Sequence, residues 1–203
     1  MIEIAWPQLK GSHYRSPSVY RVCTFLKLRS QYHLRYRIAQ GYLKPHERVL
    51  DICAGLGTMG HYLPEGCRYY TLDASPEFLA RHKALALRQW QENLHEGLKL
   101  AGFRADTVLM IISLCHFKYT SAHLLLDEFK RTGQKVCIVE DVLQKQRPPN
   151  SIIHKTINYL AAASYARPLE LFTYDEFLHI TREHGYRVTR VNRRYAVATY
   201  GYS

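Results

Sequence analysis

The chain has 203 residues and a formal net charge of +11, from 28 Lys and Arg against 17 Asp and Glu. This length suits one domain with a sizeable core, and no apolar run approaches the roughly 20 residues that a membrane-spanning helix needs. The first ten residues lack a basic start followed by a long apolar run, so we expect no secretory signal. The five cysteines form no CxxC pair. They indicate reduced thiols in a cytoplasmic protein rather than the disulfides of a secreted one.

The positive charge is concentrated in residues 1–50, which hold nine Lys and Arg against two acids. Ser16-Pro17 and the apolar spacing after it predict helices, in a basic extension over residues 1–45. Tyrosines and arginines are interleaved along this extension, at Tyr14, Arg15, Tyr20, Arg21, Tyr32, Arg35, Tyr36 and Arg37. Such a surface could bind RNA or an anionic membrane surface, or could guide an acidic substrate; a lid helix over the site is the alternative.

A strand, a glycine turn and the start of a helix follow one another in residues 48–63, RVLDICAGLGTMGHYL. Residues 49–52 have the apolar pattern of a buried parallel strand, Gly55 and Gly57 predict a sharp turn, and residues 58–63 have helical spacing. Glycines in such a turn let ligand atoms approach the backbone, and the amides at a helix start favour an anionic or electron-rich group. The unit therefore predicts a site for a nucleotide-like ligand.

Two classes of cofactor use such a turn. Gly55, Gly57 and Gly60 fit the GxGxxG spacing of dinucleotide-binding folds, which favours a nicotinamide or flavin. However, Asp51 lies in the strand just before the turn, where a carboxylate would repel a pyrophosphate and attract an ammonium group. The charge pattern thus favours a cofactor that is cationic near the turn.

The next segments alternate between strands and helices. Residues 69–73, YYTLD, predict a second strand whose last residue, Asp73, can bind ribose hydroxyls or cap the next helix. Ser75-Pro76-Glu77 predicts the start of that helix, which we expect over residues 78–86. We expect a short and polar third strand over residues 87–94.

The clearest buried strand is predicted over residues 106–113, DTVLMIIS, and His116 follows it closely. A histidine at the end of this strand could act as a general base or orient a substrate hydroxyl, because its ordinary pKa lies near neutrality. It could equally line a cofactor pocket or cap a helix. Residues 121–131 then predict a helix that ends before Gly133.

The fifth strand is predicted over residues 135–143, KVCIVEDVL, with Glu140 and Asp141 near its end. No histidine lies at ligand spacing from this acid pair, so we expect no metal site. After a break at Pro148-Pro149, residues 151–165 predict an apolar helix that carries polar side chains such as His154 and Tyr159. This helix could cover a small-molecule pocket or form a homodimer interface.

The carboxyl-terminal part is predicted as one helix and two strands. A Thr-x-x-Glu capping box opens the helix over residues 173–185, and residues 186–192 and 195–200 have the alternation of an antiparallel pair.

The order of these segments resembles the class I S-adenosylmethionine-dependent methyltransferases. The first motif of that family is usually written DxGxGxG, and Asp51, Cys53, Gly55 and Gly57 stand at its four positions, with Cys53 replacing the first glycine. The resemblance covers about residues 40 to 203. It implies an α/β fold with a doubly wound, mostly parallel seven-stranded sheet and a terminal antiparallel strand pair. The corresponding domain spans residues 46–203, with a substrate-covering insertion at about 145–170.

The resemblance also implies S-adenosylmethionine as the cofactor. Its implied binding residues are Asp51, Cys53, Ala54, Gly55, Gly57, Asp73, Ala74, Asn93, Leu94 and Ser113, and the catalytic candidates are His116, His154 and Tyr159. We predict methyl transfer to an O, N or C nucleophile of a small or lipid-like molecule. The alternatives are an RNA methyltransferase that uses the basic extension, a NAD-dependent oxidoreductase, and a non-catalytic adaptor that binds S-adenosylmethionine. Motifs of the Asn/Asp-Pro-Pro-Tyr and Pro-Cys types are missing from the sequence, which argues against nucleobase chemistry.

Overall fold

The structure is a computed structural model that describes residues 32–81, 85–92, 94–100, 102–144 and 170–202. Its strands form a seven-stranded sheet in the order β3-β2-β1-β4-β5-β7-β6. Strands β1 to β5 run parallel to one another, whereas β7 is antiparallel to both β5 and β6. The predicted doubly wound fold with its terminal antiparallel pair is confirmed. The strands are Arg48–Ile52 (β1), Arg68–Asp73 (β2), Arg88–Gln91 (β3), Ala105–Ile111 (β4), Gly133–Asp141 (β5), Arg187–Arg190 (β6) and Tyr195–Tyr200 (β7).

The described α-helices are Leu34–Gln40 (α1), Pro76–Arg81 (α2), Ala122–Thr132 (α3) and Tyr174–Glu183 (α4). The capping box predicted for α4 is present, because the Glu176 amide donates to Thr173 Oγ1 at 3.2 Å and the Thr173 amide donates to Glu176 Oε2 at 2.7 Å. Short 3₁₀ helices lie at Thr58–Tyr62, Leu94–Glu96 and Leu114–Phe117.

Several elements differ from the sequence prediction. The helix predicted over residues 78–86 spans Pro76–Arg81, and Leu85 and Ala86 lie outside it. Strands β4 and β5 each end two residues before the predicted end, β4 because Ile112 leaves the extended conformation with a positive φ.

The helix after the glycine turn is a short 3₁₀ helix that ends at Tyr62, because Leu63 is extended, as a residue before proline prefers. The third strand ends at Gln91 rather than at residue 94. Gln91 pairs with Asp73, the last residue of β2, so the neighbouring strand offers no further partner.

Apolar side chains cover both faces of the sheet, as expected for a parallel sheet with helices on both sides. On one face, Ala39 of α1 packs with Val49 of β1 in a cluster that also contains strand residues from β2, β4, β5 and β7. On the other face, side chains of α3 and α4 pack in the cluster that contains Ile138 of β5. Because side chains alternate along a strand, Asp51 lies on the face of Val49 and Glu140 on the face of Ile138.

Helix α1 packs against the sheet. Ala39 and Leu43 are buried in the cluster on its face. Tyr32 and Arg35 are also buried, which disagrees with the interpretation that both belong to an exposed basic surface. The other helices predicted in the amino-terminal extension and in the insertion lie outside the described residues. Within the part of the chain that the structure describes, no helix has the length and apolar character needed to cross a membrane.

Candidate functional site

The carboxyl ends of the parallel strands meet at one edge of the sheet, which is where ligands bind in folds of this type. Two residues other than glycine have a left-handed backbone at this edge: Cys53 follows β1 with a φ of 57°, and Ile112 follows β4 with a φ of 55°. This conformation is unfavourable for a residue with a side chain, above all for β-branched Ile112. Strain at the ends of two adjacent strands is typical of a functional site.

The predicted glycine turn lies directly after β1. Gly55 and Gly57 have φ values of 56° and 65°, so both adopt the conformation that glycine tolerates best. A β-carbon on Gly55 would meet only the Cys53 carbonyl oxygen, at 4.0 Å, so the space beside this backbone is open. The turn is closed by the Gly57 amide, which donates to the Ala54 carbonyl at 2.9 Å. It therefore leaves room for ligand atoms to contact the main chain.

Asp51 is a buried carboxylate immediately before this turn. Its side chain accepts a hydrogen bond of 2.6 Å from the Tyr69 hydroxyl, and only 3% of the residue is exposed. Burial raises the pKa of Asp51 to about 7; the Tyr69 hydrogen bond opposes this rise, the charge of Asp73 adds to it, and the charge of Arg35 opposes it. Near neutral pH, Asp51 is therefore ready to ionise when a cation approaches.

Asp73 connects the end of β2 with the glycine turn. Its Oδ2 accepts from the Gly55 amide at 2.8 Å and its Oδ1 from the Ser75 amide at 2.9 Å. Burial raises the pKa of Asp73 to about 6, while these amides oppose the rise. The cap of α2 is supplied by Ser75, whose Oγ accepts from the Phe78 amide at 3.2 Å. Asp73 thus stabilises the glycine turn. The cap of α2, for which Asp73 was a candidate by sequence, is supplied by Ser75 instead.

Glu140 is a functional candidate that the sequence analysis considered only as part of a metal site. It is fully buried, and its Oε2 accepts from the amides of Leu114 at 2.9 Å and Cys115 at 3.3 Å. Its Oε1 accepts from the Asp141 amide at 3.1 Å. Burial raises the pKa of Glu140 to about 8, against these hydrogen bonds. Glu140 therefore stabilises the 3₁₀ helix that carries His116. In the sequence, an acidic residue inside an apolar strand was the signal that could have identified this role.

The three carboxylates act together on Cys53. Burial is the largest cause that raises the pKa of this thiol, and the charges of Asp73, Asp51 and Glu140 raise it further, in that order. All three acids are thus within electrostatic reach of the turn. Such a cluster of acids favours a cationic ligand, whose approach promotes their ionisation, and disfavours a pyrophosphate.

Arg35 brings a positive charge to the same region from α1. The residue is 5% exposed, and its guanidinium lies 4.9 Å from the ring centre of Tyr32 and 4.7 Å from that of Tyr36. It donates a hydrogen bond of 2.8 Å to the Tyr36 hydroxyl. Because its charge lowers the pKa of Asp51, Arg35 lies within electrostatic reach of that carboxylate. Sequence reasoning missed this placement because it depends on the packing of α1.

The other predicted site residues that the structure describes follow the carboxyl ends of β2, β3 and β4. His116 is half-buried in the 3₁₀ helix, and its amide donates to the Ser113 carbonyl at 3.2 Å. Ser113 is buried, Ala74 is exposed, and Leu94 packs in the core cluster on the face of α3. Three predicted residues lie outside the described part of the chain: Asn93, His154 and Tyr159.

Asp141, the other acid considered for a metal site, has a protein partner instead. Its Oδ2 accepts from Arg194 Nη2 at 2.6 Å and from Arg194 Nε at 3.0 Å. Among the described residues, no group of three or more His, Cys, Asp or Glu side chains is arranged to hold a metal ion.

The fold is similar to several methyltransferases of known structure. A SAM dependent methyltransferase from Aquifex aeolicus matches over 91% of this chain and 97% of its own, with 17% identity and a TM-score of 0.59. Magnesium protoporphyrin IX methyltransferase from Synechocystis, solved with bound SAH, matches over 88% of this chain and 83% of its own, with 17% identity and a TM-score of 0.55. An O-methyltransferase family protein from Burkholderia thailandensis matches over 91% of this chain and 59% of its own, with 14% identity and a TM-score of 0.62. The sequence matches no protein-family model and none of the curated proteins.

Proposed function

We propose that this chain is an S-adenosylmethionine-dependent methyltransferase that methylates an O, N or C nucleophile of a small or lipid-like molecule. The observation that carries the proposal is the buried carboxylate of Asp51, immediately before a glycine turn that begins with a left-handed Cys53. Proteins of similar fold include S-adenosylmethionine-dependent methyltransferases, one of them solved with bound SAH.

The side chains at this edge fit the chemical groups of S-adenosylmethionine. Asp51 would bind the ammonium group, and Arg35 on the facing helix would attract the carboxylate of the same amino-acid moiety. Asp73 would accept from the ribose hydroxyls, since a carboxylate has about four lone-pair sites and this one accepts from the amides of Gly55, Ser75 and Ala74. The open space beside Gly55 leaves room for the ligand.

The glycine turn would contact the cofactor through the backbone of residues 53–57. The segments that follow the neighbouring strands would contact it through Ala74, Asn93, Leu94 and Ser113.

A dinucleotide fits the same edge less well. The usual dinucleotide-binding sheet has the strand order 3-2-1-4-5-6, whereas here antiparallel β7 lies between β5 and β6. In addition, the carboxylates around Cys53 would repel a pyrophosphate. We therefore rank a NAD-dependent oxidoreductase below a methyltransferase.

S-adenosylmethionine would supply a methyl group bonded to a positively charged sulfur. The protein would mainly align the acceptor for in-line attack and exclude water, since proximity and orientation account for much of such catalysis. His116 would accept the proton of an acceptor hydroxyl, whereas an amine acceptor would need little help. Glu140 would keep His116 in place through the amides of the 3₁₀ helix. We propose His154 and Tyr159 of the insertion as further groups for the acceptor.

The distribution of charge favours RNA as a second candidate acceptor. The residues outside the described part hold ten of the 28 Lys and Arg and only one of the 17 Asp and Glu. The described part is therefore nearly neutral, and the excess charge belongs to the amino-terminal extension and the insertion. If RNA is the acceptor, its binding should weaken steeply as the salt concentration rises.

The proposal is tested by calorimetry of the full chain with S-adenosylmethionine, with S-adenosylhomocysteine and with NAD. We expect both adenosyl compounds to bind and Asp51→Asn to weaken them, whereas Asp106→Asn, at the opposite edge of the sheet, should not. Saturation by NAD without binding of the adenosyl compounds would refute the proposal.

Transfer of labelled methyl from S-adenosylmethionine to fractionated cell extract then identifies the acceptor. Label in small metabolites or lipid supports the proposed class, and label in RNA supports the second candidate. Tight cofactor binding without transfer to any fraction would instead indicate a non-catalytic adaptor.

A further inference from the structure

Two histidines face each other on the surface, on the side of the sheet away from α1. His123 belongs to the first turn of α3, and His184 directly follows α4, 61 residues later. His123 Nδ1 lies 3.0 Å from His184 Nε2, and the ring centres are 5.2 Å apart. The two ring nitrogens therefore converge on one point between the elements.

Asp127 determines which of the two histidines donates the hydrogen bond between them. It lies one turn after His123 on α3, and its Oδ1 is 3.0 Å from His184 Nδ1. A carboxylate at neutral pH has no proton to donate, so His184 Nδ1 carries the proton and His184 Nε2 presents its lone pair to His123. Lys130 holds this arrangement by bonding Asp127 Oδ1 at 2.8 Å and the His184 carbonyl at 2.9 Å.

We propose that His123 Nδ1 and His184 Nε2 form a binding site for a divalent transition-metal ion, with Zn²⁺ as the representative. Zinc binds imidazole nitrogen at about 2.0–2.1 Å in tetrahedral geometry, which separates two ligand nitrogens by about 3.3 Å. To admit the ion, the observed pair would open by a few tenths of an ångström, and both rings would turn so that their lone pairs meet beside the line that joins the two nitrogens. On binding, the proton that His123 Nδ1 shares with His184 moves to His123 Nε2, which is the other neutral tautomer.

Asp127 completes the arrangement as the carboxylate partner of a metal-binding histidine. Such a partner fixes the tautomer and raises the basicity of the ligand, and its loss typically weakens metal binding by about 10–100-fold. With two protein ligands, water fills the other positions. The positive charge of Lys130 is balanced by Asp127, to which it is directly bonded. The bound ion would connect α3 with the end of α4.

The experiment titrates Zn²⁺ into tag-free full-length protein by calorimetry at about pH 7.5, where free histidines are mostly neutral. We expect one ion per chain and a rise in the Tm when zinc is added. His123→Ala and His184→Ala should each weaken binding at least tenfold, and Asp127→Asn should weaken it by about 10–100-fold. His179→Ala removes an exposed histidine of α4 that pairs with Glu183 and serves as the matched control.

Equal zinc affinity in the wild type and His123→Ala would overturn the proposal, and so would an equal loss of affinity in His179→Ala. No binding by the wild type would overturn it as well. Circular dichroism and the Tm of each variant without zinc separate loss of the ligand from loss of the fold. The site does not depend on the proposed enzymatic function, so neither result affects that function.

Discussion

Binding of S-adenosylhomocysteine should become tighter as the pH rises from about 5 to about 7.5, because Asp51 has to be ionised to bind the ammonium group. Burial raises the pKa of Asp51 to about 7 in the free protein. Below this pH the carboxyl is mostly protonated, and binding has to remove its proton. The sign of the dependence is therefore fixed: affinity is lost as the pH falls through 7.

The magnitude follows from the same pKa of about 7. One pH unit below it, binding is weaker by about tenfold than at high pH, and two units below it by about a hundredfold. The rise in affinity with pH should end near pH 8, where the amino group of the ligand begins to lose its own proton. Asp51→Asn should remove the step centred near pH 7 and leave only the loss below about pH 6 that protonation of Asp73 causes. At pH 7.5 it should weaken binding by about 10–100-fold, the usual size of a charged hydrogen bond.

Calorimetry across this pH range measures the effect, and S-adenosylhomocysteine is the ligand of choice because it has the same ammonium group and cannot be turned over. Asp106→Asn is the control, since Asp106 pairs with Arg48 at the far edge of the sheet. The reasoning is refuted if Asp51→Asn keeps the slope of the wild type. An affinity that falls as the pH rises from 5 to 7.5 would refute it too.

Three further substitutions test the surroundings of the site. Tyr69→Phe removes the hydrogen bond that holds down the pKa of Asp51, so the midpoint of the same pH titration should move upward; an unchanged midpoint would contradict this. Glu140→Ala removes a side chain that accepts from three buried amides. Thermal denaturation should therefore show a loss of about 2 kcal/mol or more and transfer assays a lower kcat, with Glu140→Gln milder in both. Thr173→Ala removes the cap of α4 and should lower the Tm by about 2–4 °C, for a cost of about 1 kcal/mol, without changing cofactor affinity; a change in affinity would link α4 to the site.

Local sequence signals predicted most of the fold. The turn at Gly55 and Gly57 and the cap at Thr173 depend on nearby residues, and the structure contains both as predicted. The predicted end of β3 was wrong because an edge strand ends where its hydrogen-bonding neighbour ends. That neighbour, β2, ends at Asp73, which cannot be derived from the residues of β3.

The site was predicted in part, because only some of its residues are close in sequence. The placement of Arg35 depends on how α1 crosses the sheet, and the role of Glu140 depends on amides that lie 25 and 26 residues away. Neither the placement of Arg35 nor these contacts of Glu140 can be derived from a local sequence pattern. Whether the extension over residues 1–45 acts as a lid stays a prediction.

The acids around the turn have a protective consequence for Cys53. A methyl donor alkylates any good sulfur nucleophile within reach, and Cys53 stands in the very bend that would hold such a donor. Only the thiolate attacks efficiently, and burial together with the three neighbouring acids raises the pKa of Cys53 well above its ordinary value, so that the sulfur stays protonated. If this site binds a sulfonium compound, as we propose, the same acids would thus also prevent the protein from methylating itself.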